Sequence, residues 1–261
     1  MKSVIHFIGA GPGDPELITV KGRRLLDAAD VIVYAGSLVN PKLLDGLPAR
    51  IHNSASMTLD QVIEVMSTAF KAGKNVVRLH TGDPAIYGAI REQMIRLDEL
   101  DIPYEIIPGV SSVFAVSSVL KRELTAPEVA QTVIITRMAG KTPVPESESI
   151  ADLARHESTM MILLSAARID EVVRELTFGG YTEDTPAAVV ERATWPEEKI
   201  ITGTLRDIAS KVKNTGITKT AIIAVGKALG YESSKAVSKL YDAGFSHGYR
   251  KGDEGILKDK E

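Results

Sequence analysis

Cysteine is absent from this sequence of 261 residues. Without a thiol the chain can form no disulfide, no thiolate nucleophile and no cysteine-ligated zinc or iron–sulfur centre. Its five histidines also form no short ligand spacing of the HExxH kind. We therefore expect no protein-bound metal.

An excess of one charge and long apolar runs are absent as well. Lysine and arginine total 31 against 34 acidic residues, for a net charge of −3. The basic excess of a typical nucleic-acid-binding protein is thus missing. No run approaches the roughly 18 apolar residues of a membrane span, and the N-terminus lacks the pattern of a signal peptide. We expect a cytoplasmic protein with neither nucleic-acid nor membrane partners.

The first half of the chain alternates short apolar runs with amphipathic stretches. The apolar runs predict strands at 4–8, 31–34, around 51, 75–80 and 104–107. The amphipathic stretches predict helices at 15–28, 58–72, 85–100 and 110–120. Such alternation is typical of a parallel sheet covered on both faces. It predicts an N-terminal α/β domain over residues 1–124.

The second half has a different pattern. Its apolar runs predict strands at 132–136, 160–164, 187–192, 199–202 and 221–225, the third and fourth forming an antiparallel hairpin. Helices are expected at 169–178 and 205–212, and a proline-containing loop at 138–149. We interpret residues 125–230 as a C-terminal α/β domain with a mixed sheet. Residues 231–261 are expected to be a partly disordered tail.

A glycine-rich loop at 9–14 (GAGPGD) connects the first strand to the first helix. A dinucleotide-binding loop would have a third glycine where Asp14 stands, and an acidic residue at the end of the second strand. Pro12 offers no backbone N–H, and Asp14 would repel a phosphate. The loop therefore disfavours NAD, and it suits either another ligand or a tight turn that contacts none.

Two further turns follow strands, at 81–84 (TGDP) and 108–112 (PGVSS). Ligands of open parallel sheets bind at the carboxyl ends of the strands. Each turn taken alone has ordinary turn chemistry. If the sheet is parallel, however, all three loops lie at one edge, and together they predict a shared pocket.

These three loops, in this order and spacing, resemble the signatures of the tetrapyrrole methyltransferases, which use S-adenosylmethionine. The segments 33–39 (VYAGSLV) and 136–146 (TRMAGKTPVPE) resemble the precorrin-4 and cobalt-precorrin-4 C-11 methyltransferases of cobalamin biosynthesis. The resemblance covers about residues 1–230. It implies two α/β domains, a cofactor cleft between them, a homodimer, and methyl transfer to C-11 of the macrocycle.

The resemblance also implies which residues contact the cofactor. They are Pro12, Thr81, Gly82, Asp83, Ile86, Ser111, Ser112, Leu164, Ala193, Thr220 and Ala221. Their chemistry suits this ligand, because a carboxylate accepts from ribose hydroxyls or an ammonium and apolar side chains form walls for the adenine. At two of these positions the sequence departs from many relatives: Leu164 replaces a frequent methionine, and Ala193 a glycine found in some.

Methyl transfer from a sulfonium needs alignment and exclusion of water more than a strong acid or base. Asp14 and His80 are candidate proton acceptors by location, against structural interpretations as a helix N-cap and as a structural side chain at a strand end. Arg137 and Lys141 suit the carboxylates of a tetrapyrrole, unless they are solvated charges. Tyr34 and Ser37 are candidates to line the same trough.

Other functions stay open at this point. The chain could methylate another precorrin position, uroporphyrinogen III or diphthine, or it could be a non-catalytic nucleotide-binding module. The sequence leaves undecided whether the substrate already carries cobalt, and how the macrocycle is oriented.

Overall fold

The computed structural model describes residues 4–230 and 238–252. Within them the chain forms two five-stranded sheets. It divides into two compact units, of which the first comprises Met1–Lys121, Val190–Ile200 and Thr218–Ile222. The second unit contains the remaining segments. The two later segments of the first unit fall in the region that the sequence analysis assigned to the C-terminal domain.

The first sheet has the strand order β3-β2-β4-β1-β5. Its strands are β1 (Ile5–Gly9), β2 (Val31–Tyr34), β3 (Arg50–Asn53), β4 (Val76–His80) and β5 (Tyr104–Ile107). Every pair of neighbouring strands is parallel, which confirms the predicted parallel sheet. The helices that accompany them are α1 (Val20–Asp27), α2 (Leu59–Lys71), α3 (Arg91–Asp98) and α4 (Ser112–Leu120).

Apolar side chains on both faces of this sheet are buried. Phe7 of β1 joins a core with Val33 and Val76, whereas the next residue, Ile8, joins a separate core with Leu79. Successive strand residues point to opposite faces, so a strand that is buried on both sides has a nearly continuous apolar sequence. This burial explains why β1 and β4 were recognisable from sequence.

Helix starts follow the capping side chains. Thr58 and Gln61 form a reciprocal capping box at the start of α2.

The single helix predicted over 15–28 is wrong. A short 3₁₀ helix, Pro15–Leu17, is followed by extended backbone, and Thr19 then caps α1 by accepting a hydrogen bond from the backbone N–H of Gly22.

The helix predicted over 85–100 is also shorter, because α3 begins only at Arg91. Tyr87 and Ala89 have φ angles of 55° and 49°, in the left-handed region that a right-handed helix does not allow. The segment between β4 and α3 is therefore a turn-rich loop.

The second sheet has the order β6-β7-β10-β8-β9. Its strands are β6 (Val133–Arg137), β7 (Thr159–Leu163), β8 (Pro186–Glu191), β9 (Lys199–Thr204) and β10 (Ala221–Val225). The β6 and β7 strands are parallel, whereas β7 and β10 are antiparallel, which confirms the predicted mixed sheet. The accompanying helices are α5 (Ile150–Ala154), which was not predicted, α6 (Ile169–Gly179) and α7 (Ile208–Thr215).

Part of the predicted tail is described. Residues 238–252 contain a 3₁₀ helix, Lys239–Tyr241, and the guanidinium of Arg250 donates to the carbonyl of Leu240 at 2.9 Å. The rest of the predicted tail, residues 231–237 and 253–261, lies outside the described residues. None of the helices described here has the length and apolar character needed to cross a membrane.

Candidate functional site

Three loops meet at the carboxyl ends of β4, β1 and β5, which are neighbours in the first sheet. Gly9, Gly82 and Gly109 form the point of closest approach. A Cβ atom on Gly9 would lie 2.6 Å from the Cα of Gly109 and 2.6 Å from the carbonyl oxygen of Gly82. Because real Cβ atoms do not approach so closely, only glycine permits this arrangement. The structure thus brings the three glycine-containing loops together at the expected edge.

Backbone hydrogen bonds join the first loop to the second. The N–H of Gly82 donates to the carbonyl of Gly11 at 2.8 Å, and the N–H of Gly11 donates back at 3.3 Å. The N–H of Ala10 donates to the carbonyl of His80 at 2.7 Å. The first loop is therefore an extension of the sheet ladder.

The carboxylate of Asp83 joins the second loop to the third. Its Oδ2 accepts a hydrogen bond from the N–H of Gly109 at 2.9 Å, and its Oδ1 accepts one from Ala85 at 2.8 Å. Each oxygen keeps a further lone pair. Asp83 thus braces the loops and retains capacity to accept from a ligand.

The remaining candidates of this edge lie in the same unit. Ser111 is buried and caps α4, its hydroxyl accepting from the N–H of Val113 at 3.3 Å, while Ser112 is the first residue of that helix. Ile86 follows Asp83 in the loop before α3 with 36% of its surface exposed. The half-buried Thr81 begins that loop.

A hairpin loop, residues 192–198 between β8 and β9, supplies partners that the sequence analysis missed. Thr194 Oγ1 accepts from the N–H of Asp14 at 3.0 Å, and Trp195 Nε1 donates to the carbonyl of Pro12 at 2.9 Å. The buried Asn40 donates to the carbonyl of Gly13 at 2.8 Å. These pairs are distant in sequence, so no local pattern indicates them.

Asp14 is an N-cap, as one of its two interpretations predicted. Its Oδ1 accepts from the N–H of Glu16 at 2.9 Å at the start of the 3₁₀ helix Pro15–Leu17. Its side chain is half-buried. The other carboxylate oxygen of Asp14, Oδ2, takes no part in this cap.

The hairpin loop also contacts the segment before β10. The N–H of Arg192 donates to the carbonyl of Thr220 at 2.9 Å, and Ala193 is buried. Arg192, Thr194 and Thr220 have left-handed φ angles of 50°, 69° and 53°. Such backbone is uncommon for these residue types and persists where surrounding contacts impose it. Pro12, Ala193, Thr220 and the adjoining Ala221 thus belong to one compact unit.

His80 and Arg78 are buried side by side along β4. The imidazole of His80 is 4% exposed and stacks on Phe7 with ring centroids 6.0 Å apart. Burial, with a smaller contribution from the charge of Arg78, lowers the pKa of His80 to about 3. Burial also lowers the pKa of Arg78 to about 10, and its Nε donates to Gln93 at 2.9 Å. His80 is therefore neutral near pH 7.

Tyr34 and Ser37 lie at and beyond the end of β2 in the first unit. Tyr34 is half-buried, and its carbonyl accepts from the hydroxyl of Ser54 at 3.0 Å. Ser37 is exposed. Neither side chain contacts the three glycine loops through a described hydrogen bond.

Three further candidates belong to the second unit. Arg137 donates to the carbonyls of Thr142 and Pro143 at 3.2 and 2.8 Å, so it folds its own loop. Lys141 is exposed on that loop. Leu164 follows β7 with a φ of 56° and 73% of its surface exposed. Across residues 4–230 and 238–252, no three His, Asp or Glu side chains are grouped to hold a metal ion.

Comparison with known proteins places this geometry in a family. Residues 4–209 match the tetrapyrrole (corrin/porphyrin) methylases. The chain is 60% identical over 249 residues to a cobalt-precorrin-4 C(11)-methyltransferase of Methanocaldococcus jannaschii, covering 95% of this chain and 96% of the relative. It is 49% identical over 250 residues to a precorrin-4 C(11)-methyltransferase of Pseudomonas aeruginosa, covering 95% and 99%.

Solved structures agree with this placement. The X-ray structure of a cobalt precorrin-4 methyltransferase, a cobalamin biosynthetic enzyme, superposes with a TM-score of 0.85 at 47% identity, covering 87% of this chain and 95% of that one. A uroporphyrin-III C-methyltransferase from Thermus thermophilus, in complex with S-adenosylhomocysteine, gives a TM-score of 0.72 at 26% identity, covering 87% and 93%. The chain therefore belongs to the tetrapyrrole methylase family.

Proposed function

We propose that this protein is an S-adenosylmethionine-dependent methyltransferase that methylates C-11 of precorrin-4 or cobalt-precorrin-4 in cobalamin biosynthesis. The observation that carries the proposal is the 60% identity, across nearly the whole chain, to a relative named for this reaction. The resemblance of segment 136–146 to these enzymes supports it over the uroporphyrinogen III and diphthine alternatives.

The residues at the loop edge fit S-adenosylmethionine better than a dinucleotide. In the first loop, Pro12 has no N–H, and the amides of Gly11 and Asp14 already donate to Gly82 and Thr194. A pyrophosphate would need such amides free. Asp83 and Ser111 instead offer acceptors for ribose hydroxyls or an ammonium, and Ile86 offers an apolar surface.

When bound, the cofactor supplies an electrophilic methyl group on a sulfonium. The tasks of the chain are then to align that group and to exclude water. We assign Pro12, Thr81, Gly82, Asp83, Ile86, Ser111, Ser112, Leu164, Ala193, Thr220 and Ala221 to holding it. The fixed contacts among the glycine loops suit alignment, because they leave little freedom to the backbone.

The reaction also releases a proton from the macrocycle. The imidazole of His80 is 4% exposed and stacks on Phe7, so it is closed off from a bound macrocycle. Asp14 is half-buried and uses only Oδ1 in its cap, so we favour it as the acceptor.

The macrocycle carries several carboxylates, which guanidinium and ammonium groups bind. We assign Lys141 and Arg137 to these carboxylates, and Tyr34 and Ser37 to the same trough. Arg137 would contribute partly through its loop, since its guanidinium donates to Thr142 and Pro143. We further propose that the enzyme acts as a cytoplasmic homodimer, without nucleic acid.

A methylation assay with precorrin-4 and cobalt-precorrin-4 side by side tests the proposal, with uroporphyrinogen III as the competing substrate. We expect transfer to at least one precorrin-4 form and none to uroporphyrinogen III. Thermal shift should show stabilisation by S-adenosylhomocysteine and none by NAD. Cofactor binding with no transfer to any tetrapyrrole would instead support a non-catalytic nucleotide-binding module.

A further inference from the structure

The only tryptophan of the chain, Trp195, belongs to the hairpin loop and packs against the first glycine loop, residues 9–14. Its indole N–H donates to the carbonyl of Pro12, and the neighbouring Thr194 accepts from the N–H of Asp14. The hairpin loop thus makes one contact on each side of Gly13. Two residues of a strand connection therefore determine the shape of a loop about 180 positions earlier in the chain.

Gly13 is required by this contact and not by its backbone conformation. A Cβ atom on Gly13 would lie 2.1 Å from Cδ1 and 2.3 Å from Nε1 of Trp195. Its φ lies outside the left-handed region, in contrast to that of Gly11 at 79°. The three atoms nearest to that Cβ all belong to the indole, so an alanine at Gly13 would collide first with Trp195.

The hairpin loop is itself held in a demanding conformation. Thr194, at φ 69°, donates its N–H to the carboxylate of Glu198 at 2.7 Å, and the guanidinium of Arg192 lies 5.6 Å from the centre of the indole ring. These contacts present the indole and the hydroxyl to the glycine loop together. Backbone of this kind persists because these surrounding contacts impose it.

We propose that Trp195 is a positioning residue for cofactor binding. Its indole holds the Pro12–Asp14 turn against the hairpin loop that contains the buried Ala193, and these two segments form one wall of the site. The inference rests on the proposed function, because Pro12 and Ala193 are assigned to the cofactor there. Trp195 acts through this wall. Its indole is already paired with Pro12 on the loop side.

The test measures the dissociation constant of S-adenosylhomocysteine by calorimetry and the thermal midpoint of each variant. Trp195→Phe keeps an aromatic ring and removes the hydrogen bond to Pro12, so binding should weaken about 3- to 10-fold. Trp195→Ala should weaken it more. The control Glu64→Gln, an exposed change on α2 away from this loop, should leave binding unchanged. In the wild type, emission of the single tryptophan should change on binding.

A double-mutant cycle isolates the contact. Gly13→Ala should weaken binding through the collision with the indole, and Trp195→Ala should relieve that collision. The double variant should therefore bind more tightly than the sum of the single effects predicts. Additive effects, or a lower thermal midpoint with unchanged affinity, would overturn this inference and leave the proposed function intact. A wild type that fails to bind S-adenosylhomocysteine would overturn the proposed function, and this inference with it.

Discussion

Asp83 offers the sharpest test of the loop edge, because one carboxylate serves both the fold and the proposed ligand. Its two oxygens accept from the backbone N–H groups of Gly109 and Ala85. The variant Asp83→Ala removes both acceptors. Asp83→Asn keeps a single oxygen, so it can replace only one of them.

The magnitude follows from burial. The contact with Gly109 is partly buried, and losing a hydrogen bond to a charged group there costs about 1.5–3 kcal/mol. The N–H of Ala85 is exposed, so water replaces most of that contact. Asp83→Ala should therefore lower the free energy of unfolding by about 1.5–3 kcal/mol, with Asp83→Asn in between.

Cofactor affinity should fall as well. Loss of one charged hydrogen bond to the ligand costs about 1.5–3 kcal/mol, or about 10- to 150-fold in the dissociation constant. Calorimetry with S-adenosylhomocysteine measures this, and denaturant unfolding measures stability. The control is Asp98→Ala, an exposed carboxylate that accepts from the hydroxyl of Tyr104 at 3.2 Å. If the affinity of Asp83→Ala stays within twofold of the wild type, Asp83 does not bind the ligand and only joins the two loops.

Two further predictions concern charged side chains. Gln93→Ala should lower the free energy of unfolding by about 1–3 kcal/mol, because the buried Nε of Arg78 loses its acceptor. Gln93→Glu keeps that acceptor and loses only the N–H that Gln93 donates to the carbonyl of Ala89 at 2.9 Å, so its loss of stability should be smaller. Equal stability of Gln93→Ala and wild type in urea unfolding would contradict this. Arg137→Ala combined with Lys141→Ala should raise the KM for the macrocycle about fivefold, on the order of 1 kcal/mol, and leave the dissociation constant of the cofactor unchanged. The reverse pattern would place that loop on the cofactor.

Four strands of the first sheet could be predicted to within one residue at each end, whereas the third was placed only around residue 51. β2 matches the apolar run at 31–34 because burial on both faces selects apolar residues along it. β4 matches the run at 75–80 although it also contains the buried polar residues Arg78 and His80. Helix starts were less predictable. The left-handed φ angles of Tyr87 and Ala89 shorten α3, and neither residue type signals such a conformation.

The meeting of the three glycine loops was predictable too, because parallel strands end at one edge. The contact of Trp195 with Pro12 was not, since it joins residues 183 positions apart. This contact requires a glycine at position 13, but in the sequence Gly13 cannot be distinguished from an ordinary turn glycine. The assignment of individual residues to the cofactor stays a prediction.

His80 shows how burial can separate a structural residue from a catalytic candidate. Its pKa is lowered to about 3 in the folded chain, against about 6.5 when unfolded. Between these values the unfolded state binds the additional proton, so stability is retained above pH 6.5 and lost as the pH falls. From pH 7 to pH 5 this costs about 2 kcal/mol. Urea unfolding of wild type and of the non-titrating His80→Gln should differ by that amount in their pH dependence, and parallel curves would mean that the imidazole is accessible to protons.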